Sequence, residues 1–565
     1  MTDKFRIAST FNDYFVNIAN HINISNLDVY GDQFVNHPSV RAIRERTVLS
    51  PSPGFSFSPT NSQCVESLLS DINTRKSPGY DNIAPRFLKA SAAVIASPLS
   101  FAFNNALAQC KYPSAWKKGQ ITPLPKNQED DKDKTMFRPV TVLPAMNNIF
   151  ERILASQLLS YFQDLFGDFL SAYRKHHSCL TTLLRLVEDW KQSRDQGELV
   201  AMVAMDLSKA FDSLPHTLLI KKLQAYGLDR HSCTFLQDYL NDRLQRVRIG
   251  DTVSTWEYNH RGIPQGSVLG PLLFNIFLND LSFFITGVKL NAYADDQELY
   301  SSDSDHSTLY NRLNDELSIA TEWFKQNGLM ANPTKFQSLI LGDTDEAFIF
   351  TVDGIQIERR DDINLLGVNI DSRLTFHKHV STICKKVNNQ LQVIKRFRNL
   401  ISGPTMLRLY NAFIQPVFSY CSDVWHFCSA RDRDKLEHVN KQALRVVLND
   451  KENGYDEMLR KLEMVNLEQR RVQNMLITVF KCLHGAAPSY LRSHLKERTS
   501  AYSLRGHAIL ELPTVKTTTY GLHSFRYFGA HEWNRLPDNV RRSETLAGFR
   551  RGVKRHIFQG RALLY

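Results

Sequence analysis

Cysteine is sparse in this chain, whose 565 residues include eight, with no Cys-x-x-Cys pair among them. Such scattered spacing argues against a disulfide framework and favours a reducing compartment. A late group of thiols and imidazoles comprises Cys421, His426, Cys428, Cys482 and His484. Its spacing fits neither a zinc finger nor a zinc knuckle, so we interpret these thiols as buried structural residues.

The chain also lacks an uninterrupted apolar run of membrane-spanning length. The longest candidate, residues 268–285, is interrupted by Gly270, Pro271, Asn279 and Asp280, and it predicts a buried helix instead. The N-terminus leads into a polar stretch without the apolar centre of a signal peptide. We therefore expect an intracellular protein that makes no use of a membrane.

Net positive charge is absent from the first two thirds of the chain and concentrated in the last third. The formal charge is −6 over residues 1–370 and +17 over residues 371–565. A strongly basic segment is typical of a protein that holds a polyanion such as a nucleic acid duplex. The alternative interpretation is a surface that is charged only for solubility.

Two adjacent carboxylates, Asp295 and Asp296, follow the apolar run 288–293 and precede a second alternating run at 297–301. This pattern predicts a β-hairpin with both aspartates at its tip. Carboxylates held side by side repel each other unless a cation lies between them, and oxygen ligands suit Mg²⁺. The alternative interpretation is an ordinary solvated turn.

A third carboxylate, Asp206, ends the continuous apolar run 199–205, which predicts a buried strand. A helix is predicted after Pro215, and Asp212 is a candidate for capping it. Between the two acidic sites lies a Gly/Pro-rich loop at 261–271, of a kind that lets backbone approach a ligand closely.

Three segments, DLSKAFD (206–212), RGIPQGSVLGP (261–271) and YADD (293–296), occur in this order. They resemble motifs A, B and C of reverse transcriptases, and the residues of motifs B and C resemble those of the non-LTR (LINE-type) retrotransposon group. The segment SPGYDNI at 77–83 and the tail segment WNRLP at 533–537 resemble other parts of the same proteins.

The resemblance implies an α+β fold of the right-hand polymerase type, with fingers, a palm built on an antiparallel ferredoxin-like (RRM-like) sheet, and a helical thumb. We expect an N-terminal connector with a Ser/Pro-rich linker at 47–60, then fingers and palm, a helical thumb, and a basic tail. Within the connector, Phe11 and Phe15 suggest a short amphipathic helix. The corresponding segments are 1–63, 64–371, 372–495 and 496–565.

The resemblance also implies roles for individual residues. Asp206, Asp295 and Asp296 would hold two Mg²⁺ ions, with Mn²⁺ as an alternative metal. Nucleotide binding is implied for Lys126 and Arg138 at the triphosphate, for Phe211 as the ring that excludes a ribose 2′-hydroxyl, and for Gln265 and Gly266 in the nucleotide pocket. Lys335 is implied as the proton donor to the leaving pyrophosphate.

The implied function is RNA-directed DNA synthesis on an RNA template from a DNA primer with dNTPs, in a ribonucleoprotein of nucleus and cytoplasm. The oligomeric state is open. The residues ahead of the polymerase are too few for an endonuclease, so we expect a truncated element or one piece of a longer product. Two other interpretations remain: a catalytically idle nucleic-acid-binding remnant, and a group II intron-type maturase, which motif B and the tail disfavour.

Overall fold

The computed structural model describes residues 3–18, 34–49, 54–126, 133–344, 348–450, 452–498 and 509–558. Up to residue 259 the elements are α1 (Lys4–Val16), α2 (Pro38–Leu49), α3 (Ser62–Ser70), α4 (Pro85–Ala90), α5 (Ala92–Ala108), β1 (Lys118–Pro125), β2 (Phe137–Val142), α6 (Ala145–Phe162), α7 (Cys179–Gln196), β3 (Leu199–Ser208), α8 (Ala210–Ser213), α9 (His216–Ala225), α10 (Arg230–Leu240), β4 (Arg243–Ile249), β5 (Thr252–Val253) and β6 (Glu257–Asn259). Helices and strands are thus mixed, as the predicted α+β class requires.

From residue 269 onward the elements continue with a similar mixture and end in a run of helices. They are α11 (Leu269–Leu278), α12 (Leu281–Phe284), β7 (Lys289–Tyr293), β8 (Asp296–Asp303), α13 (His306–Gln326), β9 (Met330–Ala331), β10 (Gln337–Leu341), β11 (Thr351–Val352), β12 (Ile355–Gln356), β13 (Glu358–Arg359), β14 (Asp362–Leu365), β15 (Val368–Asp371), α14 (His377–Lys395), α15 (Gly403–Leu409), α16 (Gln415–Ser419), α17 (Ala430–Leu448), α18 (Tyr455–Lys461), α19 (Leu467–Leu483), α20 (Ser489–Arg492), α21 (Ala530–Arg535), α22 (Asp538–Arg541) and α23 (Leu546–Phe558).

The chain forms two compact units. The first contains residues 1–173, 205–297 and 315–335, and the second contains residues 174–204, 298–314 and 336–565. The chain therefore passes from one unit to the other inside β3, β8 and α13. These units do not follow the four segments expected from the sequence, and that finer division stays a prediction about the organisation of the polypeptide.

In the first unit a mixed sheet carries the N-terminal helix. The strand order is β2-β1-β4-β5, with β6 also paired to β4, and β1 runs antiparallel to β2 but parallel to β4. Helix α1 packs on β4, β5 and β6 and is capped by the Asp3 carboxylate, which accepts a hydrogen bond from the backbone N–H of Phe5. The amphipathic helix predicted from Phe11 and Phe15 is thereby confirmed, and the two rings stack with centroids 5.7 Å apart.

The described part of the predicted Ser/Pro-rich linker is attached to the first unit. Its residues 50–53 lie outside the described part of the chain. Phe55, which follows them, is buried, and its backbone N–H donates to the carbonyl of Gly227 (3.0 Å) while its carbonyl accepts from Asp229 N–H (2.9 Å). The second half of this segment is thus paired backbone, because an apolar aromatic side chain gives it a surface to bury.

The prediction of a single buried helix over 268–285 is wrong in one respect, because the structure divides it into α11 and α12. The division falls at Asn279 and Asp280, whose side chains are drawn to other parts of the first unit. The Asn279 side-chain oxygen accepts from Gly167 N–H (2.9 Å), and Asp280 forms a fully buried ion pair with Lys222 (2.6 Å). Over the described residues, no helix has both the length and the apolar content needed to cross a membrane.

In the second unit, β10 lies between β3 and β13, antiparallel to the former and parallel to the latter. Helices α14–α20 follow, in agreement with the predicted run of helices after residue 371. Helix α7 begins at a capping box, in which the side chains of Ser178 and Thr181 each bond the backbone N–H of the other residue.

The C-terminal region of the second unit is attached to α7 through three buried charged side chains at 188, 191 and 195, which share one helix face. The Glu188 carboxylate accepts from the backbone N–H groups of residues 525 and 526 (2.7 and 3.0 Å), and the Lys191 ammonium donates to the carbonyl of residue 523 (2.5 Å). Asp195 accepts from the backbone of residues 516 and 517 and faces Arg526 at 3.3 Å. Residues 516–526 are therefore an integral part of this unit.

Candidate active site

The hairpin predicted around the paired aspartates is confirmed. Strand β7 ends at Tyr293 and its neighbour β8 begins at Asp296, so Ala294 and Asp295 form a two-residue turn. Ala294 has φ +60°, the left-handed conformation that two-residue hairpin turns require. This tight turn places Asp295 and Asp296 at the tip, where both retain exposed surface.

Asp206 lies in β3, two residues before that strand ends, and belongs to the same unit as the hairpin tip. Its backbone carbonyl accepts from Asn332 N–H (3.0 Å), which fixes the strand end against the segment around β9. The three carboxylates influence one another electrostatically. Partial burial and then the charges of Asp295 and Asp206 raise the pKa of Asp296 to about 6. The pKa of Asp295 is raised as well, chiefly by partial burial.

These carboxylates suit a divalent cation that is completed by substrate. In the described part of the chain, no set of three or more His, Cys, Asp or Glu side chains is arranged to hold a metal ion by itself. Mg²⁺ is usually bound by one or two protein carboxylates together with waters and substrate phosphates. Burial chiefly raises the Asp296 pKa, and repulsion by Asp295 and Asp206 adds to it. A cation would relieve that repulsion, so hard oxygen donors and crowded negative charge fit Mg²⁺ or Mn²⁺.

Lys335 contacts the acidic cluster directly. It ends a short 3₁₀ turn, and its ammonium lies 3.3 Å from the Asp206 carboxylate. Both side chains are well exposed, so the ion pair is weak and the ammonium is free to change partner. The structure therefore brings Lys335 to the predicted site, although it leaves the predicted proton transfer untested.

Lys126 and Arg138 lie on the two strands of the antiparallel pair β1–β2. Lys126 follows the last residue of β1, where its ammonium donates to the carbonyl of Thr135 (3.2 Å), and Arg138 pairs in register with Leu124. Partial burial lowers the pKa of Lys126, and the nearby charges of Lys335, Lys209 and Arg138 lower it further. Several cations thus gather around one place, an arrangement that favours a polyanionic ligand.

The Gly/Pro-rich loop is held by Asp212. Both oxygens of this carboxylate accept from the Gln265 side-chain nitrogen (3.0 and 2.9 Å), and burial raises the Asp212 pKa to about 6. The suggestion that Asp212 caps the next helix is wrong, since α9 begins after Pro215 and has no side-chain cap. The carboxylate instead finds a stronger partner in the loop.

Gly266 meets protein backbone in this structure. Its φ is +123°, and a Cβ there would collide with the carbonyl oxygen of Thr141 on β2. The neighbouring carbonyl of Gln265 accepts from Thr141 N–H (2.8 Å). The loop is thereby fixed against β2 beside Arg138, and the nucleotide-binding roles of Gln265 and Gly266 stay predictions.

Phe211 stacks on Phe274 of α11, with ring centroids 4.4 Å apart. This contact holds the ring in one orientation five residues after Asp206.

The sequence analysis did not identify three further residues near the site, which are Tyr173, Lys209 and Tyr14. Burial and the charge of Asp295 raise the Tyr173 pKa, so its phenol lies near the acidic tip. Lys209 could have been identified from the sequence, since it lies inside DLSKAFD. No sequence pattern marks Tyr14 as a site residue.

Cys421, Cys428 and Cys482 are buried in the second unit, as the sequence interpretation of structural thiols predicted. Burial raises the pKa of these thiols, to about 12, 11 and 12 respectively. At neutral pH they are therefore protonated, which makes them poor metal ligands and poor nucleophiles.

The site thus has three carboxylates at a strand end and a hairpin tip, with the cations Lys126, Arg138 and Lys335 close enough to interact with them. Comparison with known proteins agrees, because residues 124–370 match the family described as reverse transcriptase (RNA-dependent DNA polymerase). Residues 124–370 are therefore similar to a reverse transcriptase domain.

The relatives of the chain are polymerases of non-LTR transposable elements. It is 26% identical over 408 residues to a probable RNA-directed DNA polymerase from transposon BS of Drosophila melanogaster, covering 68% of this chain and 44% of the relative. It is 25% identical over 389 residues to the probable RNA-directed DNA polymerase from transposon X-element of the same species, covering 66% and 42%. A type-1 element R2 polyprotein of Popillia japonica is 26% identical over 240 residues, covering 40% and 32%. The chain spans less than half the length of these relatives.

Proposed function

We propose that this protein is an RNA-directed DNA polymerase of a non-LTR element, which extends a DNA primer on an RNA template with dNTPs. The observation that carries the proposal is the convergence of Asp206, Asp295 and Asp296 with the cations Lys126, Arg138 and Lys335 inside a reverse transcriptase domain. Such a convergence serves phosphoryl transfer, in which an enzyme mainly positions its substrates and neutralises charge.

The three aspartates would hold two Mg²⁺ ions, which when bound supply positive charge at the primer 3′-hydroxyl and at the triphosphate. Arg138 offers a fork of N–H donors to phosphate oxygens, and Lys126 offers a compact charge. Lys335, whose ammonium lies 3.3 Å from the Asp206 carboxylate, would hold a proton near the leaving pyrophosphate. The Asp212–Gln265 bond keeps the loop in place beneath the nucleotide.

Selection of deoxynucleotides would fall to Phe211. Its ring is braced by Phe274, so it cannot turn away from a ribose 2′-hydroxyl without breaking that stack. A braced ring discriminates better than a mobile one, because a clash that is relieved by rotation costs little.

On this proposal the β1–β4 sheet and the helices around it act as fingers, the strands carrying the aspartates as a ferredoxin-like palm, and α14–α20 as a thumb with a basic face. The expected partners are an RNA template, a DNA primer and dNTPs, in a ribonucleoprotein of nucleus and cytoplasm. The competing candidate is an idle nucleic-acid-binding remnant, and its acidic cluster would be a relic without turnover.

Primer extension separates the two candidates. Purified protein would receive an RNA template, a labelled DNA primer, dNTPs and Mg²⁺, beside a double variant Asp295→Asn, Asp296→Asn. We expect extension by the wild type and a loss of at least about 10³-fold in the variant, because transition-state charge is no longer stabilised. Tight, salt-sensitive binding of the RNA–DNA hybrid without extension by the wild type would establish the idle remnant instead.

A further inference from the structure

Lys209 leaves β3 three residues after Asp206 with a backbone that is fixed by its surroundings. Its φ is +52°, and its carbonyl accepts from the N–H groups of Asp212 (2.9 Å) and Ser213 (3.1 Å) at the start of α8. A non-glycine residue with positive φ is uncommon and marks a position where the direction of the side chain is set by the fold.

The Lys209 ammonium is held by a tyrosine of the N-terminal helix. It donates to the Tyr14 hydroxyl at 2.6 Å, and its nitrogen lies 4.7 Å from the centre of the same ring. A second cation, Lys134, lies over this ring at 5.2 Å. The ring is buried, so it offers a rigid support whose π-face and oxygen both attract an ammonium.

The positive charge of Lys209 is not neutralised by this contact. Both of its partners, a hydroxyl and a ring, are uncharged, and among the described residues no carboxylate lies within 4.0 Å of the ammonium. The nearby Asp212 carboxylate is taken by Gln265. Lys209 nevertheless lies close enough to Lys126 and Asp212 to influence their ionisation, so it belongs to the group of cations at the site.

Helix α1 is attached firmly enough to serve as that support. The fully buried Asn12 side chain donates to the carbonyl of Thr255 (3.1 Å) and accepts from Gln245 (3.4 Å). Phe15, next to Tyr14, lines a small cavity of about 30 Å³ that Asp212 and Gln265 also line. One face of α1 therefore packs on the sheet and borders a cavity that the Gly/Pro-rich loop also lines.

We propose that α1 is a component of the nucleotide site, in which Tyr14 positions Lys209 to bind the triphosphate of the incoming nucleotide with Lys126 and Arg138. This inference rests on the proposed polymerase function for its choice of ligand. Lys209 binds the phosphates, and Tyr14 is a positioning residue, because it acts only through Lys209. A long lysine side chain loses less entropy on binding when one orientation is already favoured.

The test compares Tyr14→Phe, Lys209→Met and the double variant with Tyr80→Phe. Tyr80 is a matched control, since its ring also faces a lysine, Lys118, while its hydroxyl donates to the carbonyl of Ala115 (2.7 Å) and not to that lysine. In primer extension, Tyr14→Phe should raise the KM for dNTP about 3- to 10-fold with kcat within about 2-fold, since it removes the hydroxyl that accepts a hydrogen bond from the Lys209 ammonium. Tyr80→Phe should change neither.

The double variant shows whether Tyr14 affects the KM for dNTP through Lys209. If Tyr14 acts through Lys209, adding Tyr14→Phe to Lys209→Met should raise KM no further, whereas a general loss of structure would add to it. Thermal unfolding would confirm that all four variants are folded. Equal KM values for Tyr14→Phe and Tyr80→Phe, or full additivity in the double variant, would overturn the proposal.

Binding of inorganic tripolyphosphate by calorimetry keeps the inference separate from catalysis. The affinity should fall in Tyr14→Phe and Lys209→Met and stay unchanged in Tyr80→Phe, whether or not the wild type extends a primer. If the affinities follow this order but the wild type does not extend a primer, the polymerase function is contradicted and the phosphate site is supported. Identical affinities in all variants would remove the site even if extension were strong.

Discussion

Asp423 shows how a single buried carboxylate couples stability to pH. It accepts from the Thr478 hydroxyl (2.6 Å) inside the second unit, and burial raises its pKa from 3.8 to about 6. The folded state therefore binds a proton more tightly than the unfolded state. Its contribution to stability is greatest below pH 3.8 and falls as pH rises to 6.

We predict that Asp423→Asn stabilises the protein at pH 7, by at most about 3 kcal/mol, because a neutral amide replaces a buried charge. The gain should shrink as pH falls from 6 to 4. Urea unfolding of both proteins across this range measures it. A difference between the two proteins that does not change with pH would contradict the assignment.

Site residues that form an unusual local pattern of charges could be identified from the sequence. Site residues that depend on contacts between distant parts of the chain could not. Asp206, Asp295 and Asp296 stand out because adjacent like charges at strand ends have no use in folding alone. Tyr14 has no such signal, since its partner Lys209 lies 195 positions further along the chain. The pairing of Asp212 with Gln265 was hidden for the same reason.

Among the helices and strands, the sequence predicted those elements that are determined by interactions between residues close together in the chain. The hairpin at the aspartates follows from strand alternation and a two-residue turn, and α1 follows from the spacing of Phe11 and Phe15. The break between α11 and α12 could not be predicted in this way, because the side chains of Asn279 and Asp280 bond partners more than 50 residues away in sequence. The attachment of the C-terminal region to α7 depends on still longer separations.

That attachment gives a prediction for α7. Asp195→Ala should destabilise the second unit by about 2–4 kcal/mol, since several buried N–H donors and Arg526 lose their acceptor. Gln192→Ala, on an exposed position of the same helix, is the matched control and should change stability by less than about 0.5 kcal/mol. Limited proteolysis should release the C-terminal region in the first variant only, and equal resistance of the two variants would contradict this account.

For the molecule as a whole, the uneven charge gives a prediction about nucleic acid binding under the proposed function. Residues 371–565 carry +17 and residues 1–370 carry −6, so attraction to a duplex should be concentrated in the basic part. Lys385 and Lys386 are exposed on α14 and represent that part.

Reversing these two charges, Lys385→Glu with Lys386→Glu, should weaken binding of an RNA–DNA hybrid and reduce the slope of log K against log salt by about 1 for each phosphate that is no longer neutralised. Arg86→Glu with Lys89→Glu makes the same change in net charge on the exposed surface of α4. Fluorescence anisotropy over a salt series compares the two. If both pairs weaken binding equally, net charge alone is responsible and the basic part has no special role.

The contact between α7 and residues 516–526 also sets the time at which the protein is finished during its synthesis. A ribosome adds roughly 5–20 residues per second, so α7 emerges about 15–60 seconds before its last partners are translated. Throughout that interval Glu188, Lys191 and Asp195 remain hydrated on a nascent chain. The buried contacts between α7 and residues 516–526 can therefore form only after the codon for Arg526 has been read.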